Sequence, residues 1–134
     1  MLKSAPIYSY VPVSDLARAR KFYEEKLGLG PGQEVGGGLT FQCGYGTAFF
    51  MYPSAGAGTN RASCAFWKVG DVEAVVKWLK GRGVAFEEYD MPGVKTVDGI
   101  STGGGAKAAW FKDSEGNIMA LVQDLHERSQ GSSE

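Results

Sequence analysis

Few side chains in this sequence could take part directly in chemistry. Two phenols, Tyr8 and Tyr10, lie two positions apart, the thiols are Cys43 and Cys64, and His126 is the single histidine. A nucleophilic or acid–base role for Cys64 would need a neighbouring base, and the sequence places no histidine beside it. We therefore interpret Cys64 as a buried thiol. The alternative is an unusual isomerase or lyase that uses Tyr8 or Cys64 as acid or base.

An internal repeat predicts the elements that would position these residues. The tetrad at residues 13–16 is echoed 56 positions later at residues 69–72. Each tetrad follows a run rich in β-branched and aromatic residues and precedes apolar residues spaced by three and four. These patterns predict a strand followed by a helix in each half, with Asp15 and Asp71 as the residues that cap the helices.

Glycine-rich segments separate the later strands. A second pair of glycine-led strands, residues 46–52 and 116–122, is offset by 70 positions, 14 more than the first pair. The difference fits a glycine-rich insertion from Pro92 to Gly105, which predicts a mobile flap. The glycine triplets at 36–38 and 103–105 precede strands instead of helices, so we interpret them as flexible connections and not as phosphate-binding loops.

The composition limits the classes of function. A chain of 134 residues with 43% hydrophobic residues has the size and the core of one domain. The net charge of −1 argues against nucleic-acid binding, and no apolar run predicts a membrane span or a signal peptide. We therefore expect a cytoplasmic protein without membrane or nucleic-acid partners, with two free thiols and a flexible tail at residues 127–134.

Two motifs at the ends of the chain carry a family resemblance. Val13-Ser14-Asp15-Leu16 is followed by Arg20-Lys21-Phe22-Tyr23 and Leu27-Gly28, and Phe111-Lys112-Asp113-Ser114-Glu115-Gly116-Asn117 forms a closing turn. Together they resemble the vicinal oxygen chelate superfamily, which includes glyoxalase I, extradiol dioxygenases, fosfomycin-resistance transferases and bleomycin-sequestering proteins. Ser114 stands where proline is usual in that turn.

The resemblance covers about residues 7–123 and implies a specific architecture. It implies an α+β fold in which two βαβββ modules, about residues 5–56 and 60–125, have curled mixed sheets around a shared cavity. Residues 1–126 would then form one domain, and such proteins are usually homodimers.

The resemblance also allows the metal site to be tested. Metal-dependent members take four ligands from equivalent strands, and counting from the motifs places these ligands at Tyr8, Phe50, Cys64 and Ala120. These residues cannot supply the histidine and carboxylate ligands that such sites use. We therefore predict no metal and no cofactor, which disfavours metal-dependent glyoxalase or dioxygenase activity.

Strand alternation predicts which residues share a face with these positions. The predicted ligand-binding residues are Tyr8, Tyr10, Phe50, Tyr52, Cys64, Phe66 and Ala120. They would form an aromatic pocket for a planar or hydrophobic molecule, although the same residues could simply fill the core. Trp67 and Trp110 are predicted on the opposite face, and Trp78 on the second helix is expected to pack on the sheet or at a subunit contact.

Three functions remain open from the sequence. The leading hypothesis is a metal-free protein that binds a small hydrophobic or aromatic molecule in its barrel cavity, of the sequestering or resistance type. The second is an enzyme with a non-standard site, most specifically a glyoxalase I-like lyase. The third is a non-catalytic structural or regulatory dimer.

Overall fold

The computed structural model describes residues 1–126, so the tail predicted to be flexible lies outside the described residues. The chain divides into two compact units. The first comprises residues 1–64 together with 113–117, and the second comprises residues 65–112 and the strand that begins at Ile118.

The first unit has one four-stranded sheet and one helix. Its elements are β1 (Ser9–Val13), α1 (Leu16–Lys21), β2 (Gln33–Val35), β3 (Gly38–Gln42) and β4 (Ala48–Pro53), with short 3₁₀ turns at Leu2–Ser4 and Gly44–Gly46. The strand order is β1-β4-β3-β2. β1 and β4 are parallel and the other pairs are antiparallel, so the sheet is mixed.

Helix α1 begins after Asp15, as the sequence predicts, and changes to a π-helical turn at Phe22. The Asp15 carboxylate accepts a hydrogen bond of 3.0 Å from the backbone N–H of Arg18, which satisfies a free donor of the first turn. From Phe22 to Lys26 the chain forms a π-helical turn, in which the N–H of Leu27 donates to the carbonyl of Phe22 at 3.2 Å. Such turns insert one extra residue per turn and are frequent near functional sites.

One face of the first sheet packs against the helix. Phe41 and Phe49 stack with ring centroids 5.3 Å apart, and the ring of Tyr23 lies 5.9 Å and 5.6 Å from them. The core residues of this unit are all 5% exposed or less: Val11, Val13, Ala19, Tyr23, Leu39, Phe41, Phe49 and Met51. Since alternate residues of a strand point to opposite faces, the intervening residues form the other face of the sheet.

The second unit has a six-stranded sheet and a longer helix. Its elements are β5 (Ala65–Lys68), α2 (Val72–Gly81), β6 (Asp90–Met91), β7 (Val94–Val97), β8 (Ile100–Gly103), β9 (Ala106–Lys112) and β10 (Ile118–Asp124). The order is β5-β10-β9-β8-β7-β6, with β5 and β10 parallel. Asp71 caps α2 as predicted, accepting from the N–H of Ala74 at 3.1 Å.

The predicted flap is part of this sheet. The segment from Pro92 to Gly105 contains the paired strands β7 and β8, so it is not the loop insertion that the sequence predicted, and its mobility stays a prediction. The glycine triplets form tight hairpin turns instead of flexible connections. At Gly36-Gly37 and Gly104-Gly105 both central residues have positive φ (+53° and +86°, +62° and +80°), as two-residue type I′ turns require.

Both units follow the strand, helix and strands order that the repeat predicts, and the chain is α+β with two mixed sheets. The expectation of a barrel was wrong, because neither sheet closes: β1 and β2 are edges of one, β5 and β6 of the other. Within residues 1–126 no helix has the length and apolar character needed to cross a membrane.

The turn between β9 and β10 belongs to the first unit and carries a buried carboxylate. Glu115 accepts from the backbone N–H groups of Ser14 and Asp15 at 3.0 and 2.9 Å. Arg18 donates to both of its oxygens at 2.8 and 2.9 Å, and Ser114 adds a hydrogen bond of 2.8 Å. Arg18 above all, then Ser114, Asp15 and Ser14, hold the pKa of Glu115 down at about 2 against the opposing effect of burial.

The same turn contains a second carboxylate, Asp113, which is hydrogen-bonded to the π-helical turn. The Asp113 carboxylate accepts from the phenol of Tyr23 at 2.6 Å and from the backbone N–H groups of Glu115 and Asn117 at 2.8 and 2.9 Å. Asn117 in turn donates to the carbonyl of Pro12 at 2.7 Å. The turn therefore connects β1 and the π-helical turn through buried hydrogen bonds.

Candidate functional site

The face of the first sheet opposite its core carries exposed aromatic side chains, and we call it the aromatic face. Parallel pairing sets Tyr10 beside Phe50 and Pro12 beside Tyr52. Tyr10 is 63% exposed and Tyr8, just before β1, is 50% exposed. Large exposed apolar groups that cluster on one surface are typical of binding sites.

Tyr10 is the centre of this cluster. Its ring stacks on Tyr52 with centroids 4.0 Å apart and an interplanar angle of 28°. Phe50 lies 5.9 Å away on the same face, tilted by 32°. Tyr10 and Tyr52 are thus stacked and Phe50 is tilted beside them, which leaves the exposed surface of Tyr10 for a planar group to stack upon.

A glycine on the next strand accommodates the Phe50 ring. A Cβ atom at Gly38 would lie 2.6 Å from Cζ of Phe50 and would also collide with the backbone carbonyl of Met51. Only glycine therefore permits this position of the ring against β3. This contact could not be predicted from the sequence, because Gly38 belongs to the glycine triplet interpreted as a flexible connection.

Beside the rings, strands β3 and β2 place uncharged polar side chains on the aromatic face. Antiparallel pairing places Thr40 beside Phe50, Gln42 beside Ala48 and Gln33 beside Thr40. Thr40 is partly buried, and both glutamines are exposed. These hydroxyl and amide groups can orient a ligand through hydrogen bonds.

Cys64 lies next to β5 at the end of the first unit and is partly buried. Burial, and secondly the charge of Asp113, raise the pKa of the Cys64 thiol. The thiol is therefore protonated at neutral pH, which disfavours a nucleophilic role. Cys43 and Cys64 form no disulfide with each other.

The two remaining predicted site residues lie in the second unit. Phe66, 61% exposed, pairs with Ala120, which is buried. Trp110 pairs with Ala120 across the hairpin and so shares its face, which corrects the prediction that it points to the other side. The ring of Tyr89 meets Trp110 edge to face at 5.5 Å.

The other two tryptophans also lie in the second unit, Trp67 on β5 and Trp78 on α2. The Trp67 ring stacks on the buried ring of Phe111, with the ring centroids 6.3 Å apart. Trp78 is 50% exposed and lies under the guanidinium of Arg82 at 4.7 Å, and the predicted alternative of a subunit contact stays a prediction.

The positions equivalent to metal ligands do not fit a metal ion. Of the four positions that the resemblance assigns, Phe50 and Ala120 have no donor atom in their side chains, which leaves only the Tyr8 phenol and the Cys64 thiol. His126 is exposed and its ring lies against Gly105 in the turn between β8 and β9. In the described part of the chain no three His, Cys, Asp or Glu side chains are grouped as metal ligands would be.

The second unit also has an open groove of about 640 Å³ between α2 and strands β7 and β8. Its lining mixes charges with aliphatic groups: Glu73, Lys95, Val97, Asp98, Ile100 and Thr102. Glu73 is paired with Lys107 at 3.3 Å, and Lys80 donates to the carbonyl of Asp98 at 3.2 Å. The sequence did not predict this groove, since two of its strands lie in the predicted flap.

A comparison with protein families assigns most of the chain to one superfamily. A sequence profile described as the Glyoxalase/Bleomycin resistance protein/Dioxygenase superfamily matches residues 7–121. No curated protein matches the chain in sequence.

Solved structures share the fold over nearly their whole length. UcmS2 is 19% identical with a TM-score of 0.66, covering 88% of this chain and 98% of its own. A glyoxalase/bleomycin resistance protein/dioxygenase from Alicyclobacillus acidocaldarius is 16% identical with a TM-score of 0.64, covering 92% and 97%. TnmS3, an antibiotic binding protein from Streptomyces sp. CB03234, is 26% identical with a TM-score of 0.57, covering 90% and 98%.

Proposed function

Because the chain belongs to the glyoxalase/bleomycin resistance protein/dioxygenase superfamily, we propose that it binds a small, planar, largely apolar molecule on its aromatic face. The observation that carries this proposal is the stack of Tyr10 on Tyr52 at 4.0 Å, with Tyr10 63% exposed. An exposed ring that is already held against its neighbours on a strand offers stacking energy with little loss of side-chain freedom.

We further propose that the protein sequesters its ligand without converting it. The positions of the superfamily's metal ligands include Phe50 and Ala120, and the thiol of Cys64 is protonated at neutral pH. The similarity to TnmS3, an antibiotic binding protein, supports binding of a natural toxic compound. A resistance-type role follows from these two points together.

The binding proposal can be tested with N-phenyl-1-naphthylamine, an uncharged dye whose fluorescence rises in an apolar site. We expect saturable binding that Tyr10→Ala weakens about tenfold, because loss of an aromatic contact costs on the order of 1.4 kcal/mol. Tyr10→Phe keeps the ring and tests the hydroxyl alone.

Tyr45 provides the matched control for this experiment. It is a tyrosine of the same unit, 90% exposed, in the 3₁₀ turn before β4 and off the aromatic face. Tyr45→Ala should leave the dye affinity within twofold of the parent value. Equal losses in Tyr10→Ala and Tyr45→Ala would show that the dye binds elsewhere.

Sequestration and turnover predict different fates for a bound compound. After prolonged incubation with a stoichiometric amount of protein, denaturation should release the dye chemically unchanged. For the glyoxalase I-like alternative, the test is turnover of a hemithioacetal with added nickel or zinc. Measurable turnover would contradict the assignment of ligand positions to Tyr8, Phe50, Cys64 and Ala120.

A second copy of the chain could also cover exposed aromatic residues. We expect a homodimer in sedimentation experiments, in keeping with the superfamily. If the aromatic face formed the subunit contact, Tyr10→Ala would shift the protein towards monomer and dye binding would increase on dilution. Dye binding that does not depend on protein concentration would separate the ligand face from the dimer contact.

A further inference from the structure

One row of side chains crosses all four strands of the aromatic face. The pairing joins Tyr10 to Phe50, Phe50 to Thr40 and Thr40 to Gln33. With about 4.8 Å between neighbouring strands, the row is about 14 Å long. Its first half, on β1 and β4, consists of aromatic rings, and its second half, on β3 and β2, consists of a hydroxyl and an amide.

The polar half of the row has unused hydrogen-bonding capacity. Within residues 1–126, the Thr40 hydroxyl and the Gln33 amide make no side-chain hydrogen bond to another residue. Gln42, two residues after Thr40 on β3 and on the same face, also makes no side-chain hydrogen bond to another residue of this range. A hydroxyl and two amides offer both donors and acceptors to a neighbouring molecule.

The strand positions of the aromatic face carry no Asp, Glu, Lys, Arg or His, although such charged residues make up 22% of the chain. These positions are Tyr10, Pro12, Gln33, Val35, Gly38, Thr40, Gln42, Ala48, Phe50 and Tyr52. The face of the second sheet that contains Ala120 differs, since it includes Lys68, Lys112 and Asp124. A charged ligand group on the first face would lose hydration without gaining an ionic partner.

From these features we infer the chemical class of the ligand: an uncharged molecule that joins a planar aromatic group to a hydroxyl- or carbonyl-rich group. The aromatic group stacks at Tyr10 and Phe50, and the oxygen-rich group accepts and donates hydrogen bonds at Thr40 and Gln33. This inference rests on the proposed binding function, because it assigns the chemistry of the same face.

Three naphthalene compounds test the inference by calorimetric titration. They share the ring and differ in the group attached to it: 1-naphthol has a hydroxyl, 1-naphthyl β-D-glucopyranoside has an uncharged sugar, and 1-naphthyl phosphate is anionic. We expect the glucoside to bind at least fivefold more tightly than 1-naphthol, since one net hydrogen bond contributes about that factor. The phosphate should bind at least tenfold more weakly than the glucoside.

Two isosteric variants assign the sugar preference to the row. Thr40→Val and Gln33→Leu remove hydrogen-bonding groups at strand positions while keeping size and suitability for a strand. Each should reduce glucoside affinity about fivefold and leave 1-naphthol affinity unchanged. Thr59→Val is the control, because Thr59 lies in a loop and its hydroxyl donates to the carbonyl of Gly56 at 2.7 Å.

The outcomes separate this inference from the proposed function. If all three compounds bind equally, or the phosphate binds best, and Tyr10→Ala weakens each, the function stands and the ligand class is wrong. If Tyr10→Ala changes nothing, or none of the compounds binds, both are wrong. A glucoside preference that survives Thr40→Val and Gln33→Leu would also overturn the assignment.

Discussion

Substitution of Glu115 by glutamine should destabilise the protein in a strongly pH-dependent way. The side chain is fully buried and its carboxylate accepts from Arg18, Ser114, Ser14 and the backbone of Asp15. Glutamine has nearly the same shape but no charge, and its NH₂ group would face donors. The variant therefore removes the charge-assisted hydrogen bonds and places an amide donor against other donors, while the packing volume stays nearly the same.

The magnitude follows from the pKa of the carboxyl group. Hydrogen bonding to Arg18 is the largest cause that lowers the pKa of Glu115 from 4.5 to about 2. With about 1.4 kcal/mol per pKa unit, the ionised group contributes roughly 3 kcal/mol to native stability at neutral pH. Since the folded-state pKa is lowered, this contribution is complete above about pH 5 and is lost as the pH falls towards 2.

The assay compares the two proteins over pH. Urea unfolding followed by far-ultraviolet circular dichroism gives the free energy of unfolding for each at pH 7 and at pH 3. Glu115→Gln should be roughly 2 to 3 kcal/mol less stable at pH 7, and the difference should shrink by about 2 kcal/mol at pH 3. Other carboxyl groups titrate in both proteins, so their effects cancel in the difference.

Glu34 supplies the control, because its side chain is 81% exposed and its ion pair with Arg20 is 3.4 Å long. Glu34→Gln should change stability by less than about 0.5 kcal/mol at either pH. The reasoning is refuted if the stability curves of the parent and Glu115→Gln run parallel from pH 7 to pH 3. Parallel curves would mean that burial offsets the hydrogen bonds and that the carboxyl pKa is not lowered.

Three further substitutions test single contacts, at Tyr23 and Gly38 in the first unit and at Asp71 in the second. Tyr23→Phe should lower the free energy of unfolding by about 1.5 to 3 kcal/mol in urea titrations, since it removes the 2.6 Å hydrogen bond to the buried Asp113. Gly38→Ala should both weaken dye binding and lower the melting temperature, because the new Cβ would collide with the Phe50 ring and with the backbone carbonyl of Met51. Asp71→Ala should cost about 1 kcal/mol through loss of the cap of α2, whereas Asp71→Asn should restore most of it; equal losses would show that the cap does not matter.

Local rules account for the parts of the fold that the sequence predicted correctly. An aspartate that caps a helix acts within three residues, so Asp15 and Asp71 are recognisable without tertiary information, and both caps are confirmed. Strand alternation is equally local. It placed Tyr10, Phe50 and Tyr52 on one face, and the pairing of β1 with β4 confirms this.

The errors arise where distant residues decide the geometry. Trp110 was assigned to the wrong face because its direction depends on the length of the turn before β10, which sets the register of the hairpin. The π-helical turn at Phe22 gives no periodic signal of its own. The glycines between Pro92 and Gly105 suggested a loop, but positive φ at Asp98-Gly99 and Gly104-Gly105 closes tight hairpins that extend the sheet.

Because successive residues of a strand point to opposite faces, core residues alternate with residues of the aromatic face along β1 and β4. Val11 and Met51 are fully buried and belong to the core, while their neighbours Tyr10 and Phe50 belong to the aromatic face. Substitutions of Tyr10 or Phe50 are therefore expected to change the proposed ligand contacts while the packing against α1 remains intact. Under the proposed function, the residues of the aromatic face, and not the fold, determine which molecule is bound.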